Sequence, residues 1–599
     1  MKKIITLLCI FLFFIPVHLL AQPISGAPTT PDIILIPLPA ASYFGRSLAM
    51  GDVNGDGYDD LLIGAPKYDE TQSNPMGGHI FVVYGRPVFP DTFRLYLEAN
   101  TVSILEGSDK IDFGSVVCCA DYAGDGYDDI IIGAHLAGTA DRPKSGTVFC
   151  IDGRSEPLPG WWRMGENQVD RRLLGRDGDD EFGRALDVCD FTGDGLPDLI
   201  VGAPHARWPD SVGTLSGCVF LVPGIANPPS TEDMASPFSP VSIICGLHQN
   251  DLFGFALTSH DMNEDGYADL LIGAYKANPS VRDEGEAYLL YGRSIPDPVI
   301  RLAEQAPKVT FQGGEYQEQL GYALTVGDFN GDQWVDVVLG SRQSDNESIV
   351  LAGRLRINFR AENLPAIIDY KRVEPDVDIL GEKIGGMLGA VFAVGDLNGD
   401  GFDDLVAGAP FSSGTQDTGR VYIFFGYNNM TDHWDLTENS ADLSIVGNEA
   451  QDYFGSALAC GDINADGFDD VAIGAPGASP DGKVYIILGN STTGTEQYSQ
   501  EVPLSFSLEQ NYPNPFNAQT TIGYQITRES HVILSIYDIL SEKVIRLIDK
   551  NQSAGEYAIT WDGTDGSGRQ VTSGVYVFKI EVRSVSDRVV RTRKMILIR

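Results

Sequence analysis

The chain has 599 residues, with 83 acidic against 42 basic side chains and a formal net charge of −41. Such an excess of carboxylates excludes a nucleic-acid partner, whose phosphates call for lysine and arginine. The length allows several domains or one long repeat array, and an apolar fraction of 43 % is that of a globular protein.

Lys2 and Lys3 precede an apolar run from Ile4 to Leu20, with Ala21 as the cleavage residue, so residues 1–21 read as a secretory signal peptide. The run is long, and an uncleaved anchor is the alternative. Cys9 lies too early in it to serve as a lipoprotein cysteine. No later stretch approaches the roughly 20 apolar residues of a membrane span, so no transmembrane segment is expected in the mature chain. Seven cysteines follow, Cys118, Cys119, Cys150, Cys189, Cys218, Cys245 and Cys460. An odd number leaves at least one unpaired within a monomer, and none has zinc-finger spacing. Cys119, Cys189 and Cys460 stand in apolar strand context and are expected as small buried core residues.

From residue 30 to 490 one plan recurs. A Phe-Gly pair opens it, as at Phe44-Gly45, Phe113-Gly114, Phe182-Gly183, Phe253-Gly254 and Phe454-Gly455, with Leu320-Gly321 and Leu388-Gly389 standing in twice. A short apolar strand leads to an Asp-rich loop. A buried strand ending in Gly-Ala follows, then a variable loop, a strand ending in glycine such as Ile80–Gly85, and a fourth strand such as Val102–Leu105. Four short strands per unit of about 70 residues is the pattern of a propeller blade. The seventh unit lacks a fourth strand, while Ile33–Ile36 stands unpaired before the first Phe-Gly at the matching offset. It is expected to complete the seventh blade and close the ring, with Ile34 and Ile36 facing the core, because an open blade edge would invite other strands.

The Asp-rich loop carries oxygen side chains at positions 1, 3, 5 and 9 and a glycine at position 6, where the turn calls for positive φ. Ca²⁺ takes six to eight oxygens at about 2.3–2.6 Å, and this spacing lets alternate side chains and the position 7 carbonyl converge on one centre. The bidentate Glu that an EF-hand has at position 12 is missing, replaced by Ile63, so position 9 must close the cage. A single copy would be an ordinary turn, since Asp, Asn and Gly crowd turns. Seven copies, at intervals of 69, 69, 71, 67, 68 and 66 residues, are not. The candidate ligands are Asp52, Asn54, Asp56, the Tyr58 carbonyl and Asp60; Asp121, Asp125, Tyr127 and Asp129; Asp190, Thr192, Asp194, Leu196 and Asp198; Asp261, Asn263, Asp265, Tyr267 and Asp269. The last three sets are Asp328, Asn330, Asp332, Trp334 and Asp336; Asp396, Asn398, Asp400, Phe402 and Asp404; and Asp462, Asn464, Asp466, Phe468 and Asp470. These nine-residue loops hold 26 of the 83 acidic residues, and seven Ca²⁺ would return +14 of charge.

Phe-Gly, D-x-N-x-D-G-x-x-D and Gly-Ala-Pro together resemble the FG-GAP repeats of the integrin α-subunit propeller and of many bacterial surface proteins. The resemblance implies an all-β chain with a seven-bladed β-propeller and Ca²⁺ in the loop between a blade's first two strands. Ala123 at position 3 of the second loop removes an oxygen, Thr192 in the third offers a weaker one, and Gln333 replaces the turning glycine of the fifth. Four to seven Ca²⁺ sites are therefore expected, the complete sets being those that begin at Asp52, Asp261, Asp396 and Asp462.

Residues 491–502 read as a polar linker. Residues 503–599 carry alternating strands at Val532–Tyr537, Lys543–Leu547, Tyr557–Trp561, Gly574–Ile580 and Lys594–Ile598, the pattern of a small Ig-like β-sandwich. Tyr512-Pro513-Asn514-Pro515-Phe516, Ile536-Tyr537-Asp538, Trp561-Asp562-Gly563, Ser573-Gly574-Val575-Tyr576 and Lys594–Arg599 resemble the C-terminal sorting domains of the bacterial type IX secretion system and the Ig-like domain of flagellar hook-capping proteins. That resemblance implies export through the type IX machinery to the medium or the outer-membrane surface of a Gram-negative bacterium; a plain Ig-like module is the alternative.

No GxSxG, HExxH, Walker loop or GxGxxG before a helix is present. His135 and His205 follow Gly-Ala elements, where a lone histidine is usually structural. Trp161-Trp162 offers a sugar-stacking platform, but Phe93 and Trp434 occupy similar places in their repeats and point to packing between blades. The expected function is a calcium-stabilised, non-enzymatic adhesion module for an extracellular protein or glycan. An enzyme acting on polysaccharide and a structural surface protein are the alternatives, and a cluster of His, Arg and Tyr at the channel would favour the enzyme.

Overall fold

The computed structural model describes most of residues 31–490 and 507–598; residues 1–30, 67–76, 491–506 and several shorter loop stretches lie outside the described residues. The expected signal peptide and the whole of the expected linker fall there. The described chain is all-β apart from short 3₁₀ turns such as Ala361–Asn363. Among the described residues no helix is long and apolar enough to cross a membrane.

Residues 31–490 form seven sheets of four or five strands. Their innermost strands, Ser47–Gly51, Val116–Ala120, Ala185–Cys189, Ala256–His260, Leu320–Gly327, Val391–Gly395 and Ala457–Gly461, touch in succession, and the last touches the first. The sheets are thus the blades of a closed β-propeller. Second strands such as Asp60–Ala65 and Asp129–Ala134 are buried along their whole length. Their unbroken aliphatic runs, Leu61–Ile63 and Ile130–Ile132, fit a strand covered by a neighbouring blade on each face. Innermost strands such as Val116–Ala120 are half-buried throughout. Cys119, Cys189 and Cys460 lie on them and are only partly buried; the fully buried cysteines are Cys150, Cys218 and Cys245 instead.

The Phe-Gly and Gly-Ala elements belong to one joint. A Cβ on Gly64 would stand 2.1 Å from the Gly114 carbonyl oxygen, and one on Gly474 would stand 2.1 Å from that of Gly45. The second strand of each blade must therefore be bare where the next repeat's Phe-Gly turn crosses it. The phenylalanine locks the crossing, with ring centroids 5.2 Å apart in Phe44–Phe81 and in Phe182–Phe220, and 5.3 Å in Phe454–Tyr485.

Ile33–Ile36 lies antiparallel to Lys483–Ile487, with Leu35 opposite Val484, and so supplies the fourth strand of the seventh blade. The core residues are Ile33 and Leu35, not Ile34 and Ile36, which are half-buried. The four-strand reading was incomplete. Six blades gain a fifth, parallel strand of three residues from the following repeat: Trp161–Arg163, Thr231–Asp233, Val299–Arg301, Ile367–Asp369, His433–Asp435 and Thr92–Arg94. The blade that begins at Val391 has four described strands. The next repeat, which would supply its fifth, runs after Ile487 toward residues outside the description.

Residues 507–598 form two sheets, one of Ser507–Leu508, Thr520–Ile526 and Gly555–Trp561, the other of Lys543–Gln552, Ser530–Tyr537, Gly574–Arg583 and Arg588–Leu597. Their shared core includes Phe516, Tyr524, Trp561, Tyr576 and Phe578. The sequence reading missed Thr520–Ile526, although Ile522, Tyr524 and Ile526 alternate as a half-buried strand requires.

Candidate functional site

Each Asp-rich loop leaves the end of an innermost strand, and its ninth residue opens the second strand of the same blade. All seven loops therefore gather at one mouth of the ring. At position 9, Asp60, Asp129, Asp198, Asp269, Asp336, Asp404 and Asp470 are 0 % exposed. One carboxylate oxygen of each accepts a backbone N–H just after the third strand, from Gly85, Gly153, Gly224, Gly292, Arg360, Gly426 or Gly489, at 2.7–3.0 Å.

The remaining oxygens fold the loop on itself. The position 1 carboxylates of Asp52, Asp121, Asp190, Asp261, Asp328, Asp396 and Asp462 accept the N–H of position 5 at 2.9–3.2 Å. They also accept the N–H of position 6 at 2.8–3.0 Å. The position 5 carboxylates of Asp56, Asp125, Asp194, Asp265, Asp332, Asp400 and Asp466 accept the N–H of position 7 at 2.9–3.1 Å. Asn54, Asn263, Asn330, Asn398 and Asn464 accept the position 5 N–H at 2.8–2.9 Å. Among the described residues no three His, Cys, Asp or Glu side chains are drawn together closely enough to clasp an ion; the carboxylates share a loop and are each turned to its N–H groups.

The donor set nevertheless fits a hard cation. It consists of carboxylate, amide and peptide oxygens alone, the chemistry Ca²⁺ takes. Asp60 Oδ2 is buried without a hydrogen-bond partner, as is Thr192 Oγ1. Burial first, then the charges of Asp56 and Asp52, push the Asp60 carboxyl up to about 8. Burial with Asp400 and Asp396 does the same for Asp404, and burial with Asp466 and Asp462 for Asp470, each to about 8. Asp269 and Asp336 rise to about 7 from burial and the charges at positions 5 and 1 of their own loops. A bound cation would oppose these like-charge repulsions.

The loops with substitutions differ from one another. In the second and third, position 9 accepts the N–H of position 3, Ala123 at 2.7 Å and Thr192 at 3.0 Å. In the last four, the donor is position 2: Met262, Phe329, Leu397 or Ile463, at 2.9–3.2 Å. Loss of the position 3 asparagine thus goes with a shifted backbone bond. The fifth loop corrects its expectation. Gln333 takes the left-handed conformation, φ 69°, and donates to Asp328 Oδ2 at 2.8 Å as the glycines do. That loop keeps all its oxygens and groups with the complete ones.

Two features of the loops escaped the sequence reading. Position 4 is also left-handed in every copy, including Glu264 (φ 59°) and Ala465 (φ 54°). The position 7 ring of the next loop lies against it: a Cβ on Gly55 would stand 2.4 Å from Tyr127, and one on Gly399 would stand 2.4 Å from Phe468. Position 8 then ties neighbours together. The N–H of Asp52 donates to Asp128 Oδ2 at 3.0 Å, that of Asp328 to Asp403 at 2.7 Å, that of Asp396 to Asp469 at 2.9 Å and that of Asp462 to Asp59 at 2.9 Å. The doubled Asp-Asp at positions 8 and 9 of those loops was the available signal.

At the opposite mouth, the residues after the Phe-Gly pairs include Arg46, Ser115, Arg184, Phe255 and, after Leu-Gly, Tyr322. The Arg184 guanidinium carbon lies 4.2 Å from the Phe255 ring centroid, and that of Arg342 lies 3.7 Å from Tyr322. Phe255, Tyr275 and Tyr322 form a trio with centroids 4.5–5.2 Å apart. Ser115 Oγ is 3.1 Å from His135 Nδ1, and His135 Nε2 is 3.5 Å from Asp112. His205 Nδ1 lies 3.2 Å from Glu181. A His, Arg and Tyr cluster therefore exists at the channel, built from both lone histidines singled out in the sequence. Trp162 packs into a blade core, whereas Trp161 is 51 % exposed with Nε1 donating to Glu106 at 3.0 Å. Adjacent strand residues face opposite ways, so the pair makes no flat platform.

Comparison with known proteins agrees with the architecture. The FG-GAP repeat matches residues 44–83, 182–215, 388–424 and 454–487, and the FlgD Ig-like domain matches residues 514–586. Phosphatidylinositol-glycan-specific phospholipase D of Homo sapiens is 28 % identical over 405 residues, 63 % of this chain and 46 % of that protein. Integrin alpha-PS2 of Drosophila melanogaster is 33 % identical over 236 residues, 38 % of this chain and 16 % of the integrin. The chain thus spans less than half the length of these curated relatives. The solved structure of PorZ, a bacterial surface component of the type-IX secretion system of Porphyromonas gingivalis, is similar at 14 % identity and a TM-score of 0.33, covering 90 % of this chain and 58 % of that one. The chain thus carries four matched FG-GAP repeats on the closed ring of sheets of a β-propeller, and its C-terminal sandwich carries the match to the FlgD Ig-like domain.

Proposed function

We propose that this is a secreted or surface-held propeller, stabilised by Ca²⁺, that binds an extracellular protein or glycan and is exported by the type IX machinery through residues 503–599. The observation that carries the reading is the set of seven oxygen-only loops at one mouth, five of them with every ligand position filled. Placing the metals at one mouth leaves the other free for a ligand. A glycan and protein array probed with and without Ca²⁺ tests the binding role; no Ca²⁺-dependent partner on either would sink it. An enzyme acting on polysaccharide is the second reading, favoured by the cluster of His135, Arg184 and Tyr322.

Export makes two expectations. The sandwich buries a core of its own, in which, among the described residues, no propeller residue takes part. Deleting residues 503–599 should therefore leave a folded propeller that stays in the periplasm, and arrival of the truncated chain at the surface or in the medium would refute the sorting role. The second concerns Cys218 and Cys245, which face each other on paired strands with sulfurs 3.0 Å apart. In an oxidising compartment the two thiols should pass two protons and two electrons to a thiol–disulfide oxidant and join. Non-reducing peptide maps of the exported protein should show residues 218 and 245 linked; free thiols at both positions would argue against that compartment.

A further inference from the structure

Resting on the reading of the ring as a ligand-binding module, the geometry points to the Phe-Gly mouth as a site for a carboxylated sugar, the hexuronate unit of an acidic polysaccharide, with Arg46 and Arg184 taking the carboxylate and the half-buried Phe255 and Tyr322 taking the ring. A cavity of about 350 Å³ opens here, bounded by Tyr43, Arg46, Asp112, Ser115, His135 and Arg184. Small-ligand sites begin at about 300 Å³, enough for one or two sugar rings.

Charge is the main argument. In a chain with a net charge of −41, arginine should attract carboxylates. Among the described residues, neither the Arg46 nor the Arg184 guanidinium has an ion pair; Arg184 rests on the Phe255 ring at 4.2 Å. The nearby acids stand against histidines, Asp112 at 3.5 Å from His135 and Glu181 at 3.2 Å from His205. Two guanidiniums at one cavity, neither of them ion-paired although Asp112 shares its wall, are costly to hold together unless an anion joins them. A planar guanidinium fork suits a planar carboxylate. Beside the cavity, Phe255 under the Arg184 guanidinium and Tyr322 packed against it at 5.0 Å are half-buried, with the buried Tyr275 behind them; they add apolar surface that a free inorganic anion would not use and the C–H face of a pyranose would. Ser115 and His135 stand on the same wall as hydroxyl partners. The acidic loops occupy the other mouth, so the field along the channel directs anions to this one.

The test titrates the full chain, at fixed Ca²⁺, with oligogalacturonate, its methyl ester and inorganic phosphate. The acid should bind, and the ester roughly ten- to hundredfold more weakly, as expected for loss of charge-assisted hydrogen bonds. Phosphate at equal concentration should not displace the acid. Arg46→Gln, at an exposed position, should weaken the acid by about tenfold with melting unchanged, and Arg184→Gln should do the same or more. Equal binding of acid and ester, displacement by phosphate, or wild-type affinity in Arg46→Gln would overturn the assignment. If no oligogalacturonate binds to a chain whose melting still responds to EGTA, this site is wrong while the calcium reading stands. A chain indifferent to EGTA that binds the acid through Arg46 supports this site and overturns the calcium reading.

Discussion

Stripping Ca²⁺ with EGTA is expected to lower the melting temperature of the propeller substantially, and excess Mg²⁺ is not expected to restore it. Each complete loop brings at least three carboxylates into nine residues, and without a cation their charges disfavour the compact loop. A ligand that binds only the folded state stabilises it by RT ln(1 + [L]/Kd), about 1.4 kcal/mol per site at tenfold excess over Kd. Extracellular calcium modules bind at about 10⁻⁴–10⁻³ M, so such an excess is reached at millimolar Ca²⁺. Five sites would then contribute about 7 kcal/mol, comparable to the net stability of a domain. Mg²⁺ fails because it demands a tighter octahedral shell.

Two variants separate the metal from the loop's own bonds. Asp56 and Asp125 each accept the N–H of position 7 at 3.1 Å, so truncation removes the same hydrogen bond from both loops. Asp56→Ala should cost more than Asp125→Ala in Ca²⁺, because the second loop already lacks a position 3 oxygen at Ala123, and the difference should vanish in EGTA. A melting curve indifferent to EGTA, in protein shown by elemental analysis to be metal-free, would sink the calcium reading.

What the sequence disclosed was what repeats. The loops were legible because their oxygens keep one register in every copy, and Ile33–Ile36 found its blade because its offset from Phe44 matches that of Val102–Glu106 from Phe113. What stayed hidden depends on a neighbour. The fifth strands are three residues long; their central residues Phe93, Trp162, Ile300, Ile368 and Trp434 show as a recurring apolar place, but Glu232 breaks it and one inward residue is too short a signal to read as a strand, which forms only against the fourth strand of another repeat. Glu232 is buried there against Arg171, which meets it at 2.8 Å. Asp59, Asp128, Asp403 and Asp469 read as spare carboxylates until the adjoining loop is seen to present its N–H groups. The arginine and aromatic mouth was invisible for the opposite reason: the position after Phe-Gly or Leu-Gly changes from arginine to serine to phenylalanine to tyrosine, and only the closed ring sets those residues side by side.

Ring closure makes the sharpest mutational expectation. Leu35 is 0 % exposed and sits between Val484 of the last repeat and Phe93 of the first. Its strand is fastened at its start, where the Asp32 N–H donates to the Ile486 carbonyl and Asp32 Oδ2 accepts the Leu488 N–H, both at 2.9 Å. Leu35→Ala removes buried methyl groups and should cost about 2–5 kcal/mol. Leu35→Asp adds an unpaired buried charge, several kcal/mol beyond that, which the blade can escape only by releasing the strand. Release would bare the edge of Lys483–Ile487 and open the seam between first and last repeats, so chains should also associate through that edge. Ile36→Asp is the control: the same strand and charge at a half-buried position should cost far less. Differential scanning calorimetry with light scattering reads both effects. If Leu35→Asp melts like the parent chain and stays monomeric, or if Ile36→Asp is the more damaging of the two, the strand does not close the ring in this register.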